Sequence, residues 1–193
     1  MDRMASVNRL ASMAKLGENG KAWYRKANEQ VTAAAEILDC SPRYLADMLA
    51  LFSPRVAVKR SIRFAVRYVR TREFASDVMG SVRASVNHYN ATGRIRGPKT
   101  KPFADALMGD PEAVVLDVWM AVALGIDQQR FNNQQVRHKA DTRIRKVAKR
   151  LGWSPSETQA AVWTYAVRRA GRYPAQLTLV TDTLYGPQLE NAA

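Results

Sequence analysis

Cysteine and histidine are scarce in this sequence, and their scarcity excludes several kinds of site. The 193 residues include one cysteine, Cys40, and two histidines, His88 and His138. A single cysteine cannot form an internal disulfide or a four-cysteine iron–sulfur or zinc site. Neither histidine has a second ligand at the spacing of a metal site. We therefore expect no metal ion and no cofactor.

Long hydrophobic runs are also missing. The longest run, residues 113–126, is interrupted by Asp117 and is shorter than the roughly 20 residues that cross a bilayer. No apolar segment follows the basic residues at the start of the chain, as one would in a secretory signal. These absences predict a cytoplasmic protein without a membrane partner.

Acidic residues are outnumbered by basic ones. The chain has 30 lysine and arginine residues against 17 aspartate and glutamate residues, which gives a net charge of +13 and a pI near 10.3. A protein this basic attracts polyanions, and each phosphate that it neutralises releases counterions. The charge favours nucleic acid as the partner. A basic solvated surface, an acidic protein partner and the ribosome are the alternatives.

Apolar residues recur at helical spacing through most of the chain, which predicts an all-α fold. We expect a helix ending at Leu107, a polar loop at 128–135, and helices at residues 3–16, 23–38, 55–72, 74–89, 136–153 and 157–170. Leu177–Val180 is expected to form a short strand or an extended arm.

Four helices are expected to begin at a capping residue followed by proline. The cap oxygen satisfies a free backbone N–H, and proline has no N–H to leave unpaired. The four pairs are Ser41-Pro42, Ser53-Pro54, Asp110-Pro111 and Ser154-Pro155. Glu157, three residues after Ser154, also predicts a capping box.

Basic residues form two sets at helical spacing. Arg60, Arg63, Arg67 and Arg70 step by three, four and three residues, away from an apolar face. The second set is Arg137, Lys139, Arg143, Lys146, Lys149 and Arg150. Either set could follow a phosphate backbone or be a solvated face.

One stretch resembles a known family. Gly97-Pro98-Lys99-Thr100 opens a predicted helix, and Asp117 lies eighteen positions after Lys99. With Leu51–Arg55 upstream, this arrangement resembles the helix-hairpin-helix DNA glycosylases, the endonuclease III-like superfamily, over residues 45–124. The turn of that family reads Gly-x-Gly-x-Lys-Thr-Ala. Ile95, Trp119 and Val122 depart from the pattern of the family.

The resemblance implies an organisation of the chain and roles for its residues. It implies N-terminal helices at 1–40, a glycosylase-like helical domain at 41–173 with its hairpin at 93–99, and a C-terminal arm at 174–193. Its DNA contacts would be Arg94, Arg96, Gly97, Thr100, Lys101, Arg60, Arg63 and Arg67. Trp119, Ser53 and Arg55 would line a base pocket, although Trp119 could also simply pack.

Asp117 and Lys99 are the candidate catalytic residues. Asp117 interrupts an apolar run, so it either caps the helix that begins at Val118 or also faces a cleft, where it would stabilise a sugar cation. Lys99 is either a surface or phosphate-binding lysine, or an amine nucleophile that forms a Schiff base with the sugar.

The resemblance implies a DNA glycosylase that acts on a flipped damaged or modified base, with abasic-site lyase activity if Lys99 is the nucleophile. The alternatives are a noncatalytic DNA-binding protein of the same fold and a phage enzyme of DNA-base modification. The expected partner is duplex DNA, the expected state is a monomer, and the setting is a bacterial or phage-infected cell.

Overall fold

The computed structural model describes residues 4–174 and Leu179, and these residues contain helices and loops without a strand. The all-α prediction is therefore confirmed for this part of the chain. The helices are α1 Val7–Leu16, α2 Trp23–Ile37, α3 Pro42–Phe52, α4 Val58–Thr71, α5 Gly80–Thr92, α6 Thr100–Leu107, α7 Val118–Leu124, α8 Gln134–Leu151 and α9 Pro155–Arg169. Short 3₁₀ helices lie at Glu18–Gly20 and Gln128–Asn132. None of these helices is both long and apolar enough to cross a membrane.

The described residues form two compact units. The first contains residues 4–25 and 109–174, and the second contains residues 26–108 and Leu179. The division of the chain at residues 40 and 173 stays a prediction. The predicted strand or arm at 177–180 lies outside the described residues, apart from Leu179.

The first unit is built around α9, which packs against α1, α7 and α8. Nine residues of α9 are buried, among them Ala161, Val162 and Ala166. Gly17 lies against this helix so closely that an added Cβ would be 2.1 Å from the carbonyl oxygen of Ala161. The absence of a side chain at Gly17 therefore permits the close contact between the end of α1 and α9.

The second unit is built around α3, which contacts α4, α5 and α6. All eight residues from Leu45 to Phe52 are buried, as expected of a helix that is covered on every side. Phe52 lies within 6.3 Å of the rings of Phe64, Tyr68 and Phe74, measured between ring centroids. This aromatic cluster fixes the buried face of α4.

Two of the four predicted cap-and-proline starts are correct. Ser41 and Ser154 accept backbone hydrogen bonds from the third residue beyond them, and Glu157 completes the capping box. The start at Ser53-Pro54 is wrong, because Ser53 ends α3 and its hydroxyl donates to the carbonyl of Ala50. Arg55 then has a left-handed φ of 60°, so the next helix begins only at Val58.

The start at Asp110-Pro111 is also wrong. The Asp110 carboxylate accepts from the backbone N–H of Glu112 and forms a turn, and residues 113–117 are not helical. The helix predicted from Phe74 begins only at Gly80. The guanidinium of Arg83 donates to the carbonyls of Ala75, Ser76 and Val78, and these bonds hold residues 74–79 as a loop.

The predicted loop at 128–135 is only partly correct. Residues Gln128–Asn132 form a 3₁₀ helix, and α8 already begins at Gln134. Asn133 caps α8 by accepting from the backbone N–H groups of Gln135 and Val136. Asparagine is a preferred N-cap residue, so the start of α8 at this position is consistent with the local sequence.

Candidate nucleic-acid interface

Helix α4 has one buried apolar face and one exposed basic face. Ile62, Ala65 and Val69 are buried. The basic face, made of Arg60, Arg63, Arg67 and Arg70, is exposed at all four positions. The helix contains no aspartate or glutamate. The sequence predicted this arrangement from residue spacing, and the structure confirms it.

Two acidic residues lie beside the basic face. The Arg60 guanidinium donates to the carboxylate of Asp77, and this hydrogen bond holds the pKa of Asp77 below its ordinary value. Arg67 lies 3.8 Å from the Glu73 carboxylate. Asp77 is exposed, and such surface ion pairs contribute little to stability, so a phosphate can replace these carboxylates.

Helix α8 has a smaller free basic surface than its sequence suggests. Arg137 donates to the carbonyl of Phe131, so it is used within the fold. Arg145 binds Asp141 and Glu112, and the hydrogen bond to Asp141 is the main reason that its pKa is raised. The exposed cations of the helix are Lys139, Lys146, Lys149 and Arg150.

The loop after α5 carries the predicted hairpin residues. Gly93 and Gly97 have positive φ values of 66° and 109°, which glycine adopts without steric cost. Arg94 and Arg96 lie between them and are exposed. An open pocket of about 460 Å³ is lined by His88, Thr92, Arg94, Ile95 and Arg96.

The residues that follow this loop begin α6. Lys99 occupies the N-cap position, and its Nζ lies 6.0 Å from the ring centroid of Phe103. Lys101 pairs with Asp105, which also accepts from Arg43. Burial tends to raise the pKa of Asp105, but the hydrogen bonds from Lys101 and Arg43 outweigh it and lower the pKa. Lys101 is therefore partly neutralised.

Asp117 caps α7. Its Oδ1 accepts from the backbone N–H of Met120 at 2.9 Å, and its Oδ2 accepts from the indole N–H of Trp163 at 3.1 Å. The helix begins at Val118, as the capping interpretation predicted. The Asp117 residue is half-buried. Trp119 lies two residues after it, and the Arg172 guanidinium lies 5.5 Å from the Trp119 ring centroid.

Within the first unit, the charge of Asp117 affects a buried tyrosine. Tyr24 is buried, and its hydroxyl donates to Gln159 at 2.8 Å. Burial raises the pKa of Tyr24 well above its ordinary value, and the negative charge of Asp117 raises it further.

The predicted site residues belong to both units. Asp117 and Trp119 lie in the first unit, whereas Lys99, Ser53 and Arg55 lie in the second. The predicted DNA contacts Arg60, Arg63, Arg67, Arg94, Arg96, Gly97, Thr100 and Lys101 all lie in the second unit. Within residues 4–174 no group of three or more potential metal ligands comes together.

Sequence reasoning missed two features of these sites. The indole N–H of Trp163 donates to a carboxylate 46 positions earlier, and no spacing in the sequence indicates that contact. His88 and Thr92 were not recognised as lining a pocket with the arginines of the hairpin loop. Their spacing of four residues on a helix end was the one signal available.

Comparison with known proteins identifies a family for this chain but does not assign an activity to it. A family model described as "Family of unknown function (DUF7178)" matches residues 1–170. No curated protein and no solved structure matches the chain.

Proposed function

Because the chain belongs to DUF7178, a family of unknown function, we propose its function from its own residues: it binds duplex DNA through the phosphate backbone, without reading base sequence. The observation that carries this proposal is the exposed arginine face of α4, which contains no acidic residue. Phosphate contacts of this kind position a protein on DNA without specifying sequence.

The dimensions of this face suit a phosphate backbone. Arg60 and Arg70 are ten positions apart, which corresponds to about 15 Å along the helix axis. Duplex DNA carries one phosphate per about 1.7 Å of its axis, so several phosphates lie within that length. Arginine is suited to this contact because its planar guanidinium can donate two parallel hydrogen bonds to one phosphate.

The test is the affinity for a random-sequence duplex after removal of two arginines from α4. We expect Arg63→Ala with Arg67→Ala to weaken binding equally for unrelated sequences. The matched control is Lys15→Ala with Lys26→Ala, which removes the same charge from exposed positions on α1 and α2. An equal loss of affinity in both double variants would mean that net charge, rather than the α4 face, governs binding.

A second candidate function is base excision, and the position of Asp117 favours it. The carboxylate is half-buried, is fixed by two hydrogen bonds, and lies two residues before Trp119 in the sequence. A fixed carboxylate can stabilise the positive charge that develops on a sugar as its base departs. We expect Asp117→Asn to abolish release of modified bases while duplex affinity is retained.

The control for that substitution is Trp163→Phe. It removes the hydrogen bond to Oδ2 but leaves the negative charge of Asp117 in place. Retained base release in Trp163→Phe together with loss in Asp117→Asn would assign the effect to the charge. Absence of base release by the wild-type protein on a panel of modified bases would exclude this second function.

Strand cleavage by Lys99 is tested separately. Borohydride reduces the Schiff base between a lysine and the sugar of an abasic site to a stable covalent adduct. We expect wild-type protein to be trapped on abasic duplex DNA, and Lys99→Ala and Lys99→Arg not to be. Equal trapping of Lys99→Arg and wild type would contradict a nucleophilic role for Lys99.

A further inference from the structure

The pocket beside the hairpin loop is basic and has no acidic residue near it in sequence. Two arginines, a histidine and a threonine hydroxyl surround its 460 Å³, with the half-buried Ile95 as its apolar part. The 27 residues from Val78 to Ala104 contain five lysine or arginine residues and no aspartate or glutamate. No nearby carboxylate along this segment therefore competes for the two guanidinium groups.

Thr92 fixes the shape of this pocket. Its hydroxyl donates to the carbonyl of His88 at 2.8 Å, and its oxygen accepts from the backbone N–H of Arg94 at 3.2 Å. The Nε2 atom of His88 lies 3.2 Å from the same oxygen. One side chain thus holds both the imidazole and the start of the loop.

The positive charge of the pocket is greater than the single negative charge of a phosphodiester in DNA. A phosphodiester carries one negative charge, whereas a phosphate monoester carries about −1.5 to −2 at neutral pH. The C-terminal carbonyls of α5 contribute about −0.5 of a charge, which two guanidinium groups outweigh. The concave shape also differs from the convex basic face of α4, which suits the continuous backbone of a duplex.

We propose that this pocket binds the phosphate monoester of a 5′-phosphorylated nucleotide, as found at the end of a DNA strand. Arg94 and Arg96 donate charge-assisted hydrogen bonds to the phosphate oxygens, and Ile95 offers an apolar surface to the attached sugar or base. Thr92 is a positioning residue. This inference rests on the proposed binding of DNA and adds to it a preference for a phosphorylated strand end.

The first experiment compares two duplexes that differ only in their 5′ ends. One has 5′-phosphates and the other has 5′-hydroxyls, each on a short single-stranded overhang. We expect wild-type protein to bind the phosphorylated duplex about tenfold more tightly, the effect typical of a hydrogen-bonded charged group. If neither duplex binds, the proposed DNA binding fails. If both bind equally, only the pocket inference is overturned.

Variants assign that preference to the pocket. Arg94→Ala with Arg96→Ala should remove the preference, so that this variant binds the two duplexes with equal affinity. Arg63→Ala with Arg67→Ala on α4 should weaken the binding of both duplexes and leave the ratio of the two affinities unchanged. Thr92→Val should reduce the preference, and Thr92→Ser should restore it because serine keeps the hydroxyl. A preference that survives in Arg94→Ala with Arg96→Ala would overturn the inference.

A second arm distinguishes a strand end from a free nucleotide. Calorimetric titration with deoxyadenosine 5′-monophosphate, and with deoxyadenosine as its control, measures binding of the phosphate monoester without DNA. Binding of the monophosphate but not of deoxyadenosine, with loss of that binding in Arg94→Ala with Arg96→Ala, would support the site. It would also identify free nucleotides as a source of ligand. Binding of nucleoside and nucleotide with equal affinity would contradict recognition of the phosphate.

Discussion

At the scale of single residues, Asp117 makes one hydrogen bond that the sequence predicts and one that it does not. Its hydrogen bond to the backbone of Met120 is local, and the capping pattern predicted it. Its second hydrogen bond, to Trp163, comes from a distant helix, and no spacing rule indicates such a partner. The cap could be predicted because the interaction depends on neighbouring residues, whereas the indole contact depends on how α7 and α9 pack.

The two hydrogen bonds of Asp117 predict a graded loss of stability. Asp117→Ala should lower the free energy of unfolding by about 2 kcal/mol, because it removes the cap and leaves the Trp163 N–H without this acceptor. Asp117→Asn should cost less, since asparagine keeps the cap. Urea denaturation measures both values, and equal losses for the two variants would contradict the capping role.

The half-buried Tyr89 predicts the response to alkaline pH. The Tyr89 hydroxyl donates to Asp47 at 2.7 Å. Burial, followed by that hydrogen bond, raises the pKa of Tyr89 to about 12. Between pH 10 and 12 the unfolded chain therefore loses this proton while the folded chain keeps it, so stability falls as pH rises.

Tyr89→Phe should reduce that alkaline loss of stability. Comparing the free energy of unfolding at about pH 9 and about pH 11.5, on either side of the ordinary tyrosine pKa, isolates the effect. Tyr173→Phe is the matched control, because Tyr173 is 95% exposed. An unchanged pH dependence in Tyr89→Phe would mean that Tyr89 does not keep its proton in the folded protein.

At the scale of helices, the same local signal gave two correct and two wrong starts. Ser41 and Ser154 begin helices, whereas Ser53 ends one and Asp110 forms a turn. The sequence does not distinguish these cases, because serine or aspartate before proline also suits a turn. The outcome at Ser53 depends on the left-handed φ of Arg55, two residues later.

The contact between α1 and α9 predicts unequal effects of two glycine substitutions. Gly17→Ala places a Cβ against the Ala161 carbonyl, so the helices must separate, and we expect a loss of about 2 kcal/mol. Gly80→Ala is the control. Nothing lies within 4 Å of its added Cβ, and alanine favours a helix there. Thermal unfolding of the two variants compares these effects, and similar melting temperatures would contradict the close contact.

The acids beside α4 predict that duplex binding can be tightened. Asp77→Asn with Glu73→Gln removes the carboxylates that compete with phosphate for Arg60 and Arg67. We expect binding of random duplex to tighten several-fold, since each exposed ion pair that competes with phosphate contributes at most about 1 kcal/mol. Glu18→Gln with Glu36→Gln removes the same charge from exposed positions elsewhere. Equal gains in both double variants would show that only net charge matters.

At the scale of the whole molecule, the helical spacing of apolar residues predicted the fold class, and composition showed the excess of positive charge. It could not predict how that charge is used. Arg145 and Lys101 pair with carboxylates on their own helices, whereas the carboxylates that pair with Arg60 and Arg67 lie outside α4. The resemblance to helix-hairpin-helix glycosylases stays a prediction, because no solved structure matches the chain.

The central claim is that phosphate contacts supply the binding of duplex DNA. The most direct measurement is the affinity for a random duplex across a series of salt concentrations. If four arginines of α4 contact phosphates, the logarithm of the binding constant should fall against the logarithm of salt concentration with a slope of about −3.6. Arg63→Ala with Arg67→Ala should reduce that slope by about 1.8. A slope near zero, or no binding at low salt, would contradict the claim.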